Sequence, residues 1–306
     1  MKLIIQIPCF NEEKTLPITL AGFPRKVEGF DSVEWLVIDD GSSDDTSAVA
    51  RTYGVDHIVR HPVNRGLAKA FMTGITSSLA KGADVIINID ADNQYNAADI
   101  PALLEPIAAG KTGFVIGIRP VYAISAIPLI IKLLHKTGSV IVMKASGTRV
   151  TDPPSGFRAF TREVAEKLKV YNNYTYTIET IIQAGKSGIN IETVPVRVNM
   201  EKLRPSRLMS SPYSYVTKSA VIILRGLVRY DCQTFFSYLC LPLFVTIVLA
   251  ALAALFMQNS LLPIVVLIAA TVTLLLFLLI ALPVLFSPDD TPPSGHAPDD
   301  APEEPL

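Results

Sequence analysis

The sequence predicts an α/β domain with a mostly parallel sheet, followed by an interfacial amphipathic helix and a two-helix transmembrane hairpin. Three observations carry that prediction. Short β-branched runs alternate with helical stretches from Lys2 to about Val198, the pattern of a sheet covered by helices on both faces. Two long uncharged segments, 235–256 and 261–286, each meet the length of about 20 apolar residues that a bilayer core demands. Of the 306 residues 50% are apolar and only 18% charged, with a mean hydropathy of +0.39, too apolar for an ordinary soluble domain.

Strands are read at 3–7, 35–38, 57–60, 85–89, 114–118 and 191–196, and helices between them at 12–20, 45–53, 67–81, 97–109 and 176–186. The first apolar run is too short for a signal peptide and meets Pro8, Asn11, Glu12 and Glu13 at once, so it is a strand. Gly54, Gly82, Gly110 and Gly188 stand where helices should end, because a residue without Cβ turns left-handed at little cost. The stretch 121–146 is apolar but carries Lys132, His135, Lys136 and Lys144; it reads as helix at a lipid-facing edge of the domain or as a buried core helix. Within 213–230, Val216, Ala220, Ile223 and Leu227 share one helical face and Lys218, Arg225 and Arg229 the other, as expected of a helix lying on anionic headgroups.

The expected organisation is a domain at 1–205, a juxtamembrane segment at 206–234, the hairpin at 235–286 and an acidic, proline-rich tail at 287–306 expected to be disordered. Only residues 257–260 separate the two spans, so both ends of the hairpin lie on one side of the membrane. All 27 Lys and Arg precede Tyr230, and the basic residues near the first span put the domain and both termini in the cytoplasm. Two spans without an N-terminal address favour a prokaryotic plasma membrane. Cys9, Cys232 and Cys240 are odd in number and lack CxxC spacing, which argues against a disulfide framework or a zinc site.

The strand at 85–89 runs into Asp90-Ala91-Asp92-Asn93-Gln94, two carboxylates and a carboxamide at alternate positions. Such oxygens can converge on Mg²⁺ or Mn²⁺, which completes its shell with phosphate oxygens, and open α/β sheets bind ligands outside their strand C-termini. Acids at a strand end also serve simply to cap the next helix. Two more strand ends aim at the same crevice. One is Ile7-Pro8-Cys9-Phe10-Asn11-Glu12-Glu13; the other is Val37-Ile38-Asp39-Asp40-Gly41-Ser42, whose paired acids suit a ribose or a base N–H. Three such ends at one crevice outweigh capping alone. No GxGxxG follows a strand, which excludes a dinucleotide-dependent oxidoreductase, and no nucleic-acid partner is expected.

The stretches I-P-C-F-N-E-E, V-I-D-D-G-S-S-D-D-T, N-R-G-L-A-K-A, I-D-A-D-N-Q and D-P-P-S-G-F-R-A-F resemble family 2 glycosyltransferases of the GT-A fold. The branch is that of dolichyl-phosphate mannosyltransferases and bacterial polyprenyl-phosphate glycosyltransferases, over Ile5 to about Val196. The resemblance implies that Pro8, Asn11 and Glu13 line a nucleotide site and that Asp40, with Asp39, contacts the nucleoside. Asp90 and Ala91 would border the donor, and Asp90, Asp92 and Gln94 would hold a metal bridging its diphosphate. Lys69 is a phosphate contact or a solvated helix lysine. Asp152 is implied beside sugar and acceptor; since a phosphate monoester is already ionised near pH 7, it either orients the nucleophile or is a turn residue. Arg119 and Arg158 offer planar forks for an anionic acceptor, or structural ion pairs. Where many relatives read R-x-x-G-x-S-K, this chain has R-P-S-R-L-M-S-S at 204–211; Arg204 and Arg207 still offer charge to a diphosphate or acceptor.

The resemblance implies inverting, metal-dependent transfer of one hexose from a nucleotide-sugar, GDP-mannose or a UDP-hexose, to a polyprenyl phosphate at the cytosolic membrane face. The QxxRW signature of processive members is absent, which favours single transfer, and a homo-oligomer is compatible with the sequence. Two alternatives stay open: another lipid acceptor, or a catalytically silent membrane scaffold.

Overall fold

Alternation along the first strand sets the layers. In β1 (Lys2–Cys9), Ile4 faces one apolar cluster with Phe71, Phe114, Phe160 and Tyr176, while Leu3, Ile5 and Ile7 face another with Leu16, Ile100, Leu103 and Phe157. Buried on both faces, such strands carry the near-continuous apolar runs seen in the sequence. The computed structural model describes residues 1–124, 127–172, 174–199 and 212–231, together with 245–249, 252, 265, 268–269, 271–272 and 274.

The sheet has seven strands: β1, β2 (Ser32–Asp39), β3 (His57–Arg60), β4 (Val85–Asn88), β5 (Phe114–Ile118), β6 (Arg158–Thr161) and β7 (Ile191–Pro195), in the order β3-β2-β1-β4-β6-β5-β7. All run parallel except β6, which pairs antiparallel with β4 and β5 on either side. The sequence reading finds the other six strands and misses β6. Four residues with an arginine among them carry no strand signal, yet Arg158 is fully buried there. Because β6 starts opposite Asn88 and Ile116, the loop before it enters at the sheet edge where β1, β2, β4 and β5 end.

Helices α1 (Leu16–Ala21), α2 (Thr46–Thr52) and α3 (Leu67–Ala80) follow the first three strands, and α4 (Ile100–Ala108), led by a 3₁₀ turn at Ala97–Asp99, follows β4. Further along come α5 (Leu129–Ser146), α6 (Arg162–Ala165), α7 (Thr177–Lys186) and α8 (Pro212–Tyr230). Gly54, Gly82, Gly110 and Gly188 all take positive φ at helix ends, as expected.

The stretch expected as helix at 121–146 forms α5, which is buried on one side only. Ser139, Val142, Ala145 and Ser146 are buried, while Leu129, Ile130, Leu133 and Ile141 on its outer side are exposed. In α8 the expected apolar face packs partly on the domain: Ile223 is buried and Leu227 packs beside it, joined by Ser219, Ile222 and Gly226, while Ala220 is exposed. An ion pair of 2.5 Å between Lys186 and Asp231 fastens its end. Among the described residues no helix is long and apolar enough to cross a membrane. The spans expected at 235–256 and 261–286 lie largely outside the described residues, and the tail at 287–306 wholly so.

Gly185 of α7 sits where a Cβ would come within 2.1 Å of the Ser146 carbonyl oxygen. An alanine there gains about 1 kcal/mol of helix propensity but meets backbone that cannot give way, an overpacking cost of about 1–3 kcal/mol. Gly185→Ala should therefore lower the melting temperature in thermal denaturation, whereas Gly110→Ser, in open space at φ +66°, should lower it only through its backbone strain.

Candidate active site

Two turns close the left side of the crevice, and they are tied to each other. Asn11, at φ 54°, turns the chain after β1; its Oδ1 accepts from the Ser43 N–H at 2.8 Å, and its own N–H donates to Ser42 Oγ at 2.9 Å. The Glu13 N–H donates to Asp44 Oδ2 at 3.1 Å, and Glu13 Oε2 accepts from the Asp45 N–H at 3.3 Å. Pro8 is buried in β1 beside Ile38.

The paired acids at the end of β2 have separate occupations. Asp39 is fully buried and accepts from the Ser42 N–H at 2.8 Å and from the Ser47 hydroxyl, so it folds its own turn. Asp40, 2% exposed, accepts from His61 Nδ1 at 2.7 Å and from the N–H groups of Arg65 and Gly66 at 2.9 and 2.8 Å. It thereby organises the loop that leads into α3, where Lys69 is half-buried in the first turn. Gly41 is required between these turns: at φ +72°, a Cβ would stand 2.5 Å from the Val63 carbonyl carbon.

Past β4, Asp90 and Asp92 are partly exposed, and Ala91 is buried with its carbonyl accepting from Thr19 Oγ1 at 3.0 Å. Asp92 Oδ1 accepts from the Gln94 N–H at 3.2 Å. Asp90 lies against Gly156, where a Cβ would come within 2.5 Å of its carboxylate oxygen, so the glycine makes the space that this acid occupies. Gln94 Oε1 accepts from Arg119 Nη1 at 2.9 Å, which ties the acidic turn to the end of β5. Among the described residues no three His, Cys, Asp or Glu side chains gather as a metal cage. Two partly exposed carboxylates at a strand end nevertheless suit Mg²⁺ or Mn²⁺, which takes one or two carboxylates and draws its remaining ligands from phosphate and water.

Asp152 is the centre of the right side. It is 1% exposed, and every acceptor place on it is taken. Oδ2 accepts from Arg119 N at 3.1 Å and Nε at 2.8 Å; Oδ1 accepts from Arg119 Nη2 at 2.9 Å and faces His135 Nε2 at 2.9 Å. Burial alone would raise its carboxyl pKa, but the hydrogen bonds and charge of Arg119, with His135, hold it well below the usual carboxylate range. Such a carboxylate stays ionised at working pH with no lone pair to spare.

Arg158 corrects the sequence expectation. It is fully buried, and its donors reach the carbonyls of Ser155 and Pro153, each at 2.8 Å, and Thr180 Oγ1 at 2.7 Å. Burial lowers its pKa to about 10. It braces the 152–156 loop from behind, since a charge that reaches no open surface clamps no acceptor. Arg204 and Arg207 lie outside the described residues.

Motif reading misses a buried polar relay beneath the acids. Asn88 Nδ2 donates to the Gly156 carbonyl at 2.8 Å and to the Tyr176 hydroxyl at 2.7 Å, while Gln6 Nε2 donates to Asn88 Oδ1 at 2.9 Å. The Tyr95 hydroxyl, its pKa pushed up to about 12 by burial, accepts from the Gly156 N–H at 2.8 Å. Asn88, polar within Ile86-Ile87-Asn88-Ile89, is the signal that could have revealed it; Tyr176, distant in sequence, offers none.

Comparisons with known proteins give the family and support the fold. The family described as Glycosyl transferase family 2 matches residues 4–169. An uncharacterised protein of Methanocaldococcus jannaschii is 33% identical over 211 residues, 67% of this chain and 85% of that protein. A polyprenol monophosphomannose synthase of Mycolicibacterium smegmatis is 27% identical over 221 residues, 69% of this chain and 82% of its own. Among solved structures, a glucosyl-3-phosphoglycerate synthase from Mycobacterium tuberculosis, in complex with Mn²⁺, UDP-glucose and phosphoglyceric acid, gives a TM-score of 0.59 at 22% identity. That likeness covers 74% of this chain and 79% of the other and is one of fold.

Asp152→Asn leaves Arg119 buried without its counter-charge and should cost about 3–5 kcal/mol in denaturant unfolding at pH 7. The folded pKa lies below the unfolded one, so the stability from Asp152 is complete above the unfolded value of about 3.9 and is lost as pH falls toward the folded one. The difference between wild type and variant should hold constant from about pH 8 to 5 and shrink below about pH 4; a difference that changed between pH 6 and 8 would contradict this picture.

Proposed function

The chain belongs to glycosyl transferase family 2 and is a glycosyltransferase, and from that premise we propose that it moves a single hexose from a nucleotide-sugar to a polyprenyl phosphate at the cytosolic face of a membrane, with inversion. The observation that carries the reading is the junction at the sheet edge: Asp90 and Asp92 at the end of β4, joined through Gln94 to the Arg119–Asp152 pair at the end of β5. One side of that junction suits a diphosphate and the other an anionic acceptor. The named mannose-transferring relative supports a polyprenyl acceptor.

In this reading Asp90 and Asp92, with Gln94, are the residues that would hold Mg²⁺ or Mn²⁺ beside the donor. A divalent ion there would stabilise the charge that develops on the departing nucleoside diphosphate. Asn11 and Glu13 keep the two left-hand turns in register beside the nucleotide, and Asp40 sets the loop before α3. Asp152 serves as an anchor and not as a base: a lipid phosphate is already a nucleophile near neutral pH, so the useful act is to aim the Arg119 guanidinium. With Nε and Nη2 bonded to Asp152 and Nη1 to Gln94, Arg119 would meet the acceptor phosphate through the second hydrogens of Nη1 and Nη2, on the outer edge of its guanidinium.

The acceptor is half water-soluble and half lipid, which calls for a catalytic edge close to a bilayer. Supporting that placement, α5 carries His135 into contact with Asp152 and shows Leu129, Ile130 and Leu133 outward, with exposed Lys136 and Lys144 available to anionic headgroups. The hydrophobic segments at 235–256 and 261–286 would tether the domain, with both termini cytoplasmic.

Purified full-length protein should transfer sugar from at least one nucleotide-sugar to polyprenyl phosphate and not to neutral glycolipids or sterols. Asp92→Asn should lower transfer on the order of 10² to 10³-fold while the melting temperature stays near wild type, since several kcal/mol of charge stabilisation goes with the ion. Chelation followed by Mn²⁺ should abolish and restore activity. Retained transfer by Asp92→Asn at saturating donor and metal overturns the metal role, and preference for a neutral lipid overturns the acceptor.

A further inference from the structure

No sequence motif gives His135 a role, yet it supplies the fourth contact on Asp152. A carboxylate has about four lone-pair places, and Arg119 fills three of them through N, Nε and Nη2. The remaining place, on Oδ1, faces His135 Nε2 at 2.9 Å. An ionised carboxylate only accepts, so the ring proton there belongs to Nε2. On the far side of the ring the Tyr122 hydroxyl lies 3.2 Å from Nδ1, the two rings meeting edge to face with centroids 5.8 Å apart. Lys132 Nζ donates to the Tyr122 carbonyl at 2.9 Å, and Ser139 Oγ donates to the His135 carbonyl at 2.8 Å, so both ends of the contact are fastened to α5. The His135 side chain is only 12% exposed.

We propose that His135 is a positioning residue for the transfer reaction: its Nε2–H fills the last acceptor place on Asp152 and so fixes the direction of the Arg119 fork. With that place occupied, Asp152 is held from both sides, and Arg119 Nη1 is left to reach Gln94 beside the acids. With it vacant, Oδ1 recruits water or draws the guanidinium round, and the fork loses its aim. Tyr122 contributes by holding the far side of the ring. Because His135 rides on α5, whose outer side is exposed and apolar, the seating of that helix reaches the reaction centre through one hydrogen bond. The role rests on the transfer reaction proposed above.

The test compares full-length wild type with His135→Ala, His135→Gln and Tyr122→Phe, each reconstituted in phospholipid vesicles with polyprenyl phosphate. His135→Ala should lower kcat about tenfold or more, the effect of losing one hydrogen bond to a charged group, while the KM for nucleotide-sugar stays within about twofold. His135→Gln, whose amide N–H falls near the Nε2 position, should return kcat to within about threefold of wild type, and Tyr122→Phe should fall between. Unchanged kcat in His135→Ala overturns the proposal, and so does a Gln variant as slow as the Ala variant when both melt like wild type. A ¹⁵N spectrum of the ring nitrogens reads the contact without any assay: a protonated Nε2 supports it, and a bare Nε2 overturns it. Wild type inactive on polyprenyl phosphate would sink the acceptor assignment, and the ring spectrum alone would then decide His135.

Discussion

A single buried charge pair governs this sheet edge. Asp152 is almost wholly removed from water, and an unpaired carboxylate there would be intolerable, so Arg119 must be at hand with its backbone N–H and two guanidinium donors. That requirement fixes the end of β5 against the loop before β6. Arg158, sealed beneath, spends its donors on the carbonyls of the same loop, and so removes the freedom that would let Asp152 drift. Arg119 Nη1 then meets Gln94, and the acidic turn after β4 is placed relative to the ion pair through a neutral carboxamide.

Much of this was legible in the sequence. The parallel strands announce themselves through apolar runs, and the acids at their ends through the abrupt change of character at Asp39 and Asp90. The pairing of side chains was not legible. Asp39 and Asp40 look equivalent, yet one turns inward to Ser42 and Ser47 while the other organises a loop more than twenty residues away. Arg119 and Arg158 look like two equal clamps, and burial separates them. Strand β6 was hidden because four residues give too short a period to read and because the arginine that opens it contradicts a core strand until its three partners are seen. For α8, helical periodicity identified an apolar stripe but could not say whether lipid or protein would cover it.

Small residues do as much here as charged ones. Gly156 cedes its side-chain volume to Asp90, Gly41 lets two loops touch, and Gly185 lets α7 rest on the last turn of α5. At each point a backbone or a functional group occupies the space where a methyl would be, so the geometry of the edge is enforced by exclusion as well as by attraction.

The antiparallel strand has a consequence for how the molecule comes into being. β1, β2, β3 and β4 can assemble as they leave the ribosome, but β5 has no neighbour on the β4 side until β6 arrives, with Val85 waiting for Thr161. Closing so long a stretch of chain is slow compared with local helix formation. A nascent chain halted before residue 158 would therefore carry the acidic turn on a finished half-sheet with nothing opposite it, and the two halves of the crevice would meet only when four late residues slot between them.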